Sequence, residues 1–159
     1  MPHRRPATLA AAAAFLLCTT ASAATSTASS QNYAHLVLVE GDSRCTAERV
    51  EVDAAPPASV AVDADRIDFD CSGTTWFAFK SDIAFAFDDA AGTATAEDVR
   101  IAATKFGVTC TYKASRVTLE REGTGREYRG GPIGAGKVGG SFLCPGSVNL
   151  DSAEVVFHR

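Results

Sequence analysis

From Tyr33 onward, apolar and polar residues alternate with a period of two, the pattern of strands with one dry face and one wet face. "LVLVE" (36–40) is apolar on both faces and predicts a central strand. "RVEVD" alternates through Val50 and Val52, and Pro56-Pro57 then forces a turn, because neither proline can donate to a ladder. "DRIDFDC" points Ile67, Phe69 and Cys71 one way and Asp68 and Asp70 the other. "IAFAFDDAAGTATA" places Ile83, Phe85 and Phe87 on one face, turns at Asp88–Gly92, and resumes as a strand of small residues. "VRIAA" and "FGVTCTY" follow, the second with Phe106, Val108, Cys110 and Tyr112 on one side. "RVTLEREGTGREYRG" predicts a hairpin closing near Gly123–Gly125, and "SFLC" and "AEVVF" are the last strands.

No segment carries the i, i+3, i+4 apolar stripe of a helix. Short strands at this spacing, punctuated by Gly and Pro, predict an all-β fold, an antiparallel β-sandwich or barrel.

The first residues follow a different rule. Residues 1–24 have a short basic start (Arg4, Arg5), an apolar run over Ala10–Cys18, and small residues at Ala21-Ser22-Ala23-Ala24. That is the build of a signal peptide, and the apolar run is far short of the roughly 20 residues that span a bilayer. The expectation is a secreted, extracellular protein with no membrane span after cleavage. Residues 25–32, "TSTASSQN", hold neither charge nor large apolar group and read as a disordered lead-in. Residues 33–159 then form a single β-domain.

Export changes what the cysteines mean. Of the 5 in the chain, Cys18 leaves with the signal, so Cys45, Cys71, Cys110 and Cys144 remain. An even number in an oxidising compartment implies two disulfides, with three possible connectivities. Pairing of nearest neighbours in the chain suits sequential antiparallel strands and favours Cys45–Cys71 and Cys110–Cys144. Cys110 and Cys144 should both face the core, Cys110 beside Phe106 and Val108, and Cys144 beside Phe142.

Charge narrows the partners. Without Arg4 and Arg5, 13 basic residues face 19 acidic ones, a net of −6. Residues 24–98 carry −10 and residues 99–159 carry +4. Neither half offers the dense basic face that a nucleic acid requires. "GGPIGAGKVGG" (130–140) has the Gly131, Gly136, Lys137 spacing of a phosphate loop, but Val138 stands where Ser or Thr must reach magnesium. The segment before it is polar and two glycines follow, so no strand and helix flank it. We read it as a flexible connection to the "SFLC" strand, with no nucleotide or other cofactor.

Candidate chemistry is sparse. Asp63, Asp65, Asp68 and Asp70 lack the sharp glycine turn of a calcium loop and read as a solvated face, so no metal is expected. His35 and His158 are the two imidazoles left after export, one near each end of the domain, and no G-x-S-x-G context surrounds any serine. No catalytic residues are assigned. Trp76, the sole tryptophan, alternates with Phe77 and Phe79. Either the phenylalanines face the core and Trp76 is an outward anchor for a partner, or the reverse. Arg116, Arg121, Arg126 and Arg129 sit among Glu120, Glu122 and Glu127, suggesting cross-strand ion pairs or a partner-binding hairpin.

"FGVTCTYKASRVTL", "YRG" and "GSFLCPGSVNLDSAEVVF", over about 106–157, resemble the C-terminal half of small secreted actinobacterial β-proteins of unknown function. That resemblance implies a fold and the Cys110–Cys144 bridge, and no activity. "YAHLVLVEG" is similar to the first strand of Streptomyces subtilisin inhibitors, which carry two disulfides and present the scissile bond just after a cysteine. By that likeness Tyr112 and Lys113 would face a protease, although the Asp-Pro that follows the family's reactive bond is absent. The leading expectation is a secreted non-catalytic domain that binds a protein or cell-envelope component. A secreted serine-protease inhibitor is the alternative, and a hydrolase dependent on His35 or His158 a third.

Overall fold

The computed structural model describes residues 31–159, and the expected signal peptide (1–24) and most of the expected lead-in (25–32) lie outside the described residues. Of the lead-in, Asn32 already belongs to the fold, since its carbonyl accepts from the Val52 amide at 3.1 Å.

The elements are β1 (Tyr33–Glu40), β2 (Ser43–Glu51), β3 (Val60–Val62), a 3-10 turn (Ala64–Arg66), β4 (Asp70–Ser72), β5 (Thr75–Phe79) and β6 (Ile83–Asp88). They continue with β7 (Thr93–Lys105), β8 (Val108–Arg121), β9 (Glu127–Gly130), β10 (Ile133–Gly140), β11 (Ser147–Leu150) and β12 (Ser152–His158). All pairings are antiparallel, in one continuous sheet ordered β3-β6-β7-β8-β9-β12-β1-β2-β4. The all-β expectation holds, and the arrangement is compatible with a sandwich or a barrel.

The long hairpin β7–β8 is the spine. Its near half pairs with β6 on one side and β9 on the other. Its far half pairs with β5 and β10, and β11 extends β10. Between the halves both strands slip by one residue. In β7 the inward positions run Ala94, Ala96 and then Val99, Ile101, Ala103; in β8 they run Cys110, Tyr112, Ala114 and then Val117, Leu119. Asp98, at the slip, takes a positive φ of 53°. A slip of one residue exchanges the faces of a strand, so here the hairpin bends to keep apolar side chains inside. Alternation alone divides this hairpin into "TATA", "VRIAA", "FGVTCTY" and "RVTL", whereas the structure joins the four into two strands.

The core gathers both halves. Leu36, Ile83, Ile101, Ala114, Ile133 and Leu150 are among the side chains around an apolar void of about 50 Å³. Beside the near half, Phe157 meets Phe85 and Phe87 edge-on at 5.8 and 5.4 Å, and Phe87 meets Tyr128 at 5.2 Å. Such geometry sets the positive ring edge against the negative ring face.

Both expected disulfides form. Cys45 and Cys71 are directly opposed on β2 and β4, and Cys110 on β8 joins Cys144 after β10. Closing chain separations of 26 and 34 residues, each contributes roughly 3–4 kcal/mol by restricting the unfolded chain.

Four expectations need correction. "GGPIGAGKVGG" is not a connection: it contains β10, in which Ile133 and Ala135 face the core and Gly134 and Gly136 face out. Period two survives there because glycine replaces the polar residue on the wet face. "SFLC" is a turn rather than a strand, and Phe142 points into solvent while Cys144 is buried. Phe106 does not share the buried face of Cys110, because it opens the β7–β8 turn with a φ of 50° followed by Gly107 at 78°. "DRIDFDC" is also mostly irregular, with only Asp70–Ser72 in a ladder; Asp63 accepts from the Asp65 amide at 3.0 Å and caps the 3-10 turn.

Candidate functional site

Large apolar side chains are exposed at the far end of the β7–β8 spine. Phe106 on the β7–β8 turn is 85% exposed, Phe142 and Leu143 on the β10–β11 loop are 91% and 65%, and Trp76 at the start of β5 is 57%. Val138, just before that loop, is exposed as well. Trp76 lies opposite Thr104 in the ladder and Thr75 lies opposite Lys105, so β5 reaches the same end as the turn. With Phe77 buried, the outward reading of Trp76 is the one the structure adopts.

The loop that carries Phe142 and Leu143 is tied down. Cys144 bridges to Cys110, and the Lys137 ammonium donates to the carbonyls of Ser141 at 2.8 Å and Cys144 at 3.4 Å. That is the work of the lysine in the phosphate-loop spacing. Gly140 permits the close approach: its φ is 102°, and a Cβ there would sit 2.7 Å from the Thr109 carbonyl and 3.0 Å from the Cys144 sulfur.

Beneath this end lies a pocket of about 290 Å³, walled by Ala103, Phe106, Val108, the Cys110 side chain, Leu143, Pro145 and Val148, with Lys105 also lining it. Its polar lining residues are Glu40, Thr75, Lys105 and Tyr112. Thr75 is only 3% exposed; its hydroxyl donates to Glu40 Oε2 at 3.0 Å, and its amide donates to the Ser43 hydroxyl at 2.9 Å. Ser43 Oγ also accepts from the Thr74 amide at 3.0 Å, which fixes the β4–β5 turn against β2. Glu40 is thereby held by one oxygen, and Oε1 takes no hydrogen bond among the described residues.

Tyr112 is 2% exposed. Burial and, secondarily, the negative charge of Glu40 push its ionisation above the usual phenol range. It is therefore a neutral hydroxyl at physiological pH, free to donate and to accept.

The other sequence-predicted positions lie elsewhere. Arg121, at the opposite end of β8, pairs with Asp89 at 3.0 Å and donates to the Asp89 carbonyl. Arg129 pairs with Glu154 at 2.7 Å and stands 3.6 Å from Glu127; the Glu154 hydrogen bond, then its charge, raise the guanidinium pKa further. Arg126 is half-buried, and its carbonyl accepts from the Phe157 amide at 3.0 Å. The arginine hairpin and Trp76 thus occupy different ends of the spine and do not converge.

Tyr112 and Lys113 lie in a strand rather than in a loop. A protease-facing segment is an exposed loop whose backbone groups are free, whereas these residues are mid-β8, laddered to β7 and β10. Tyr112 is buried, and Lys113 pairs with Asp98 at 2.7 Å. The terminal strands do pair, which stacks His158 on Tyr33 at 4.7 Å and leaves His35 opposite Val156. Among the described residues no group of three or more His, Cys, Asp or Glu is placed to hold a metal ion, and no helix is long and apolar enough to cross a membrane.

Sequence reasoning missed Glu40, Thr75, Phe106 and Leu143 as site residues. The Phe-Gly pair at 106–107 was the available signal, because a turn requiring positive φ can expel a large side chain from an otherwise alternating strand. No protein-family model matches the chain, and neither a curated protein nor a solved structure matches it.

Proposed function

We propose that the protein is a secreted, non-catalytic binding domain, acting at or outside the cell surface on a protein or cell-envelope component. Two disulfides bracing an all-β sheet support the extracellular setting, since such bridges persist in oxidising compartments. The observation that carries the binding reading is the gathering of Trp76, Phe106, Phe142 and Leu143 at one end, with Phe142 and Leu143 on a loop braced by Cys110–Cys144. Contiguous exposed apolar groups are costly in water and mark contact sites. Bracing lowers the entropy lost on binding.

Photo-crosslinking tests this on the whole oxidised protein. A photoreactive residue at position 142 is compared with one at position 49, on β2 away from the spine's far end. The reading expects one discrete envelope adduct from position 142, absent from position 49 and abolished by Phe106→Ser. Equal labelling from both positions contradicts it.

A further inference from the structure

Resting on the reading of the protein as an envelope-binding domain, we infer that the outer face of the spine's far half binds a linear acidic polysaccharide, a chain of pyranose rings that carry carboxylates. Sheet register sets the side chains concerned in three rows across the strands. Trp76 on β5 lies opposite Thr104 on β7, which lies opposite Thr109 on β8, and the two threonine hydroxyls meet at 2.9 Å. The next outward row is Ala78, Ala102, Thr111 and Gly139. The third is cationic: the Lys80 amide donates to the Arg100 carbonyl at 2.9 Å, and Arg100 lies opposite Lys113.

Charge selects the ligand first. Lys80 and Arg100 are exposed and enter no ion pair among the described residues. The acids nearest to them in the chain are already engaged, Asp82 by the Ala64 amide at 3.0 Å and Asp98 by Lys113 at 2.7 Å. No carboxylate stands in the three rows, although the molecule as a whole is acidic, so a polyanion is attracted to this face.

Spacing selects next. Neighbouring strands lie about 4.8 Å apart, so the cationic row repeats at that interval. A chain of pyranoses laid across the strands presents one carboxylate per ring at a comparable repeat. An extended acidic peptide presents like-facing side chains about 6.6 Å apart and loses the match. The outer rows flank the middle one at about 6.6 Å, so a ring lying over Ala78, Ala102 and Gly139 is within reach of both. On one side Trp76 offers its indole face to the positive hydrogens of the sugar's C–H groups, and Thr104 and Thr109 offer hydroxyls. On the other, Lys80 and Arg100 meet the carboxylates.

Trp76 is the sole tryptophan, so its fluorescence reads this face directly. The oxidised protein is titrated with polygalacturonate, and the controls are the same polymer with its carboxylates methyl-esterified, polyglutamate, and phosphatidylglycerol vesicles. A saturable change is expected with polygalacturonate, weakened by added salt. Esterification should weaken binding about tenfold or more, and Lys80→Ser combined with Arg100→Ser should do the same, the scale of lost charged hydrogen bonds. Trp76→Ala, read by calorimetry, should weaken binding several-fold. All three side chains are exposed, so the urea midpoint should hold, and the esterified arm needs no variant at all. Equal affinity for the esterified polymer, an unchanged affinity in the Lys80–Arg100 variant, or no saturable change overturns the inference. Binding of polyglutamate or of the vesicles as tight as that of polygalacturonate overturns it too. Absence of polygalacturonate binding with the position-142 adduct retained overturns the ligand class alone; loss of both overturns the binding reading as well.

Discussion

The two ends of the β7–β8 spine use aromatic residues in opposite ways. Beside the near half, Phe85, Phe87, Tyr128 and Phe157 turn toward one another and interlock. At the far end, Phe106, Phe142 and Trp76 turn outward. Residue type is the same, but the backbone decides: the Phe106-Gly107 turn and the Ser141–Cys144 turn carry their rings out, and Trp76 takes the outward position in the alternation of β5. Aromatics at one end hold the sheet together, and aromatics at the other are left in solvent.

Phe157→Ala gives the largest expected difference between the ends. It empties the centre of the near cluster and should cost about 3–5 kcal/mol, read as a large fall in the urea midpoint. Phe142→Ser should move the same midpoint by no more than about 0.5 kcal/mol, because an exposed side chain has little packing to lose. A large loss at position 142 would erase the contrast.

Reduction of Cys110–Cys144 comes next. Replacing both cysteines by alanine should cost roughly 3–4 kcal/mol and abolish the position-142 adduct, since the loop loses its tether. Replacing Cys45 and Cys71 should cost a similar amount in stability and spare the adduct.

Alkaline pH separates the ends more gently. Tyr112 has a folded-state pKa above that of the unfolded chain, through burial and then Glu40. Its contribution is therefore complete below the unfolded pKa of about 10 and declines as pH rises through the folded value. Tyr112→Phe should flatten the alkaline fall in stability seen by urea titration, and a curve unchanged from wild type would show that the phenol does not sense its surroundings. The smallest effect belongs to the surface. The Arg116–Glu97 pair is well exposed on both sides, and Arg116→Ala should cost about 0–1 kcal/mol, shrinking further in high salt.

Much of the fold is legible in the chain. Period-two alternation locates β1, β6, β12 and the β8–β9 hairpin, and neighbour pairing gives both disulfides. Gly-rich β10 escapes because its wet face is glycine, which reads as a connection. The pocket escapes for a different reason. Glu40, Thr75, Tyr112 and Leu143 come from four separate stretches and converge only through sheet pairing and the Cys110–Cys144 bridge. Each has an ordinary local context, so no short motif records their meeting.

Crosslinking from position 142 in the intact, oxidised protein tests the division of labour most directly. The account predicts a single discrete adduct that Phe106→Ser removes while the urea midpoint stays where it was. An adduct pattern indifferent to Phe106, or a midpoint that falls as far as it does in Phe157→Ala, would contradict it.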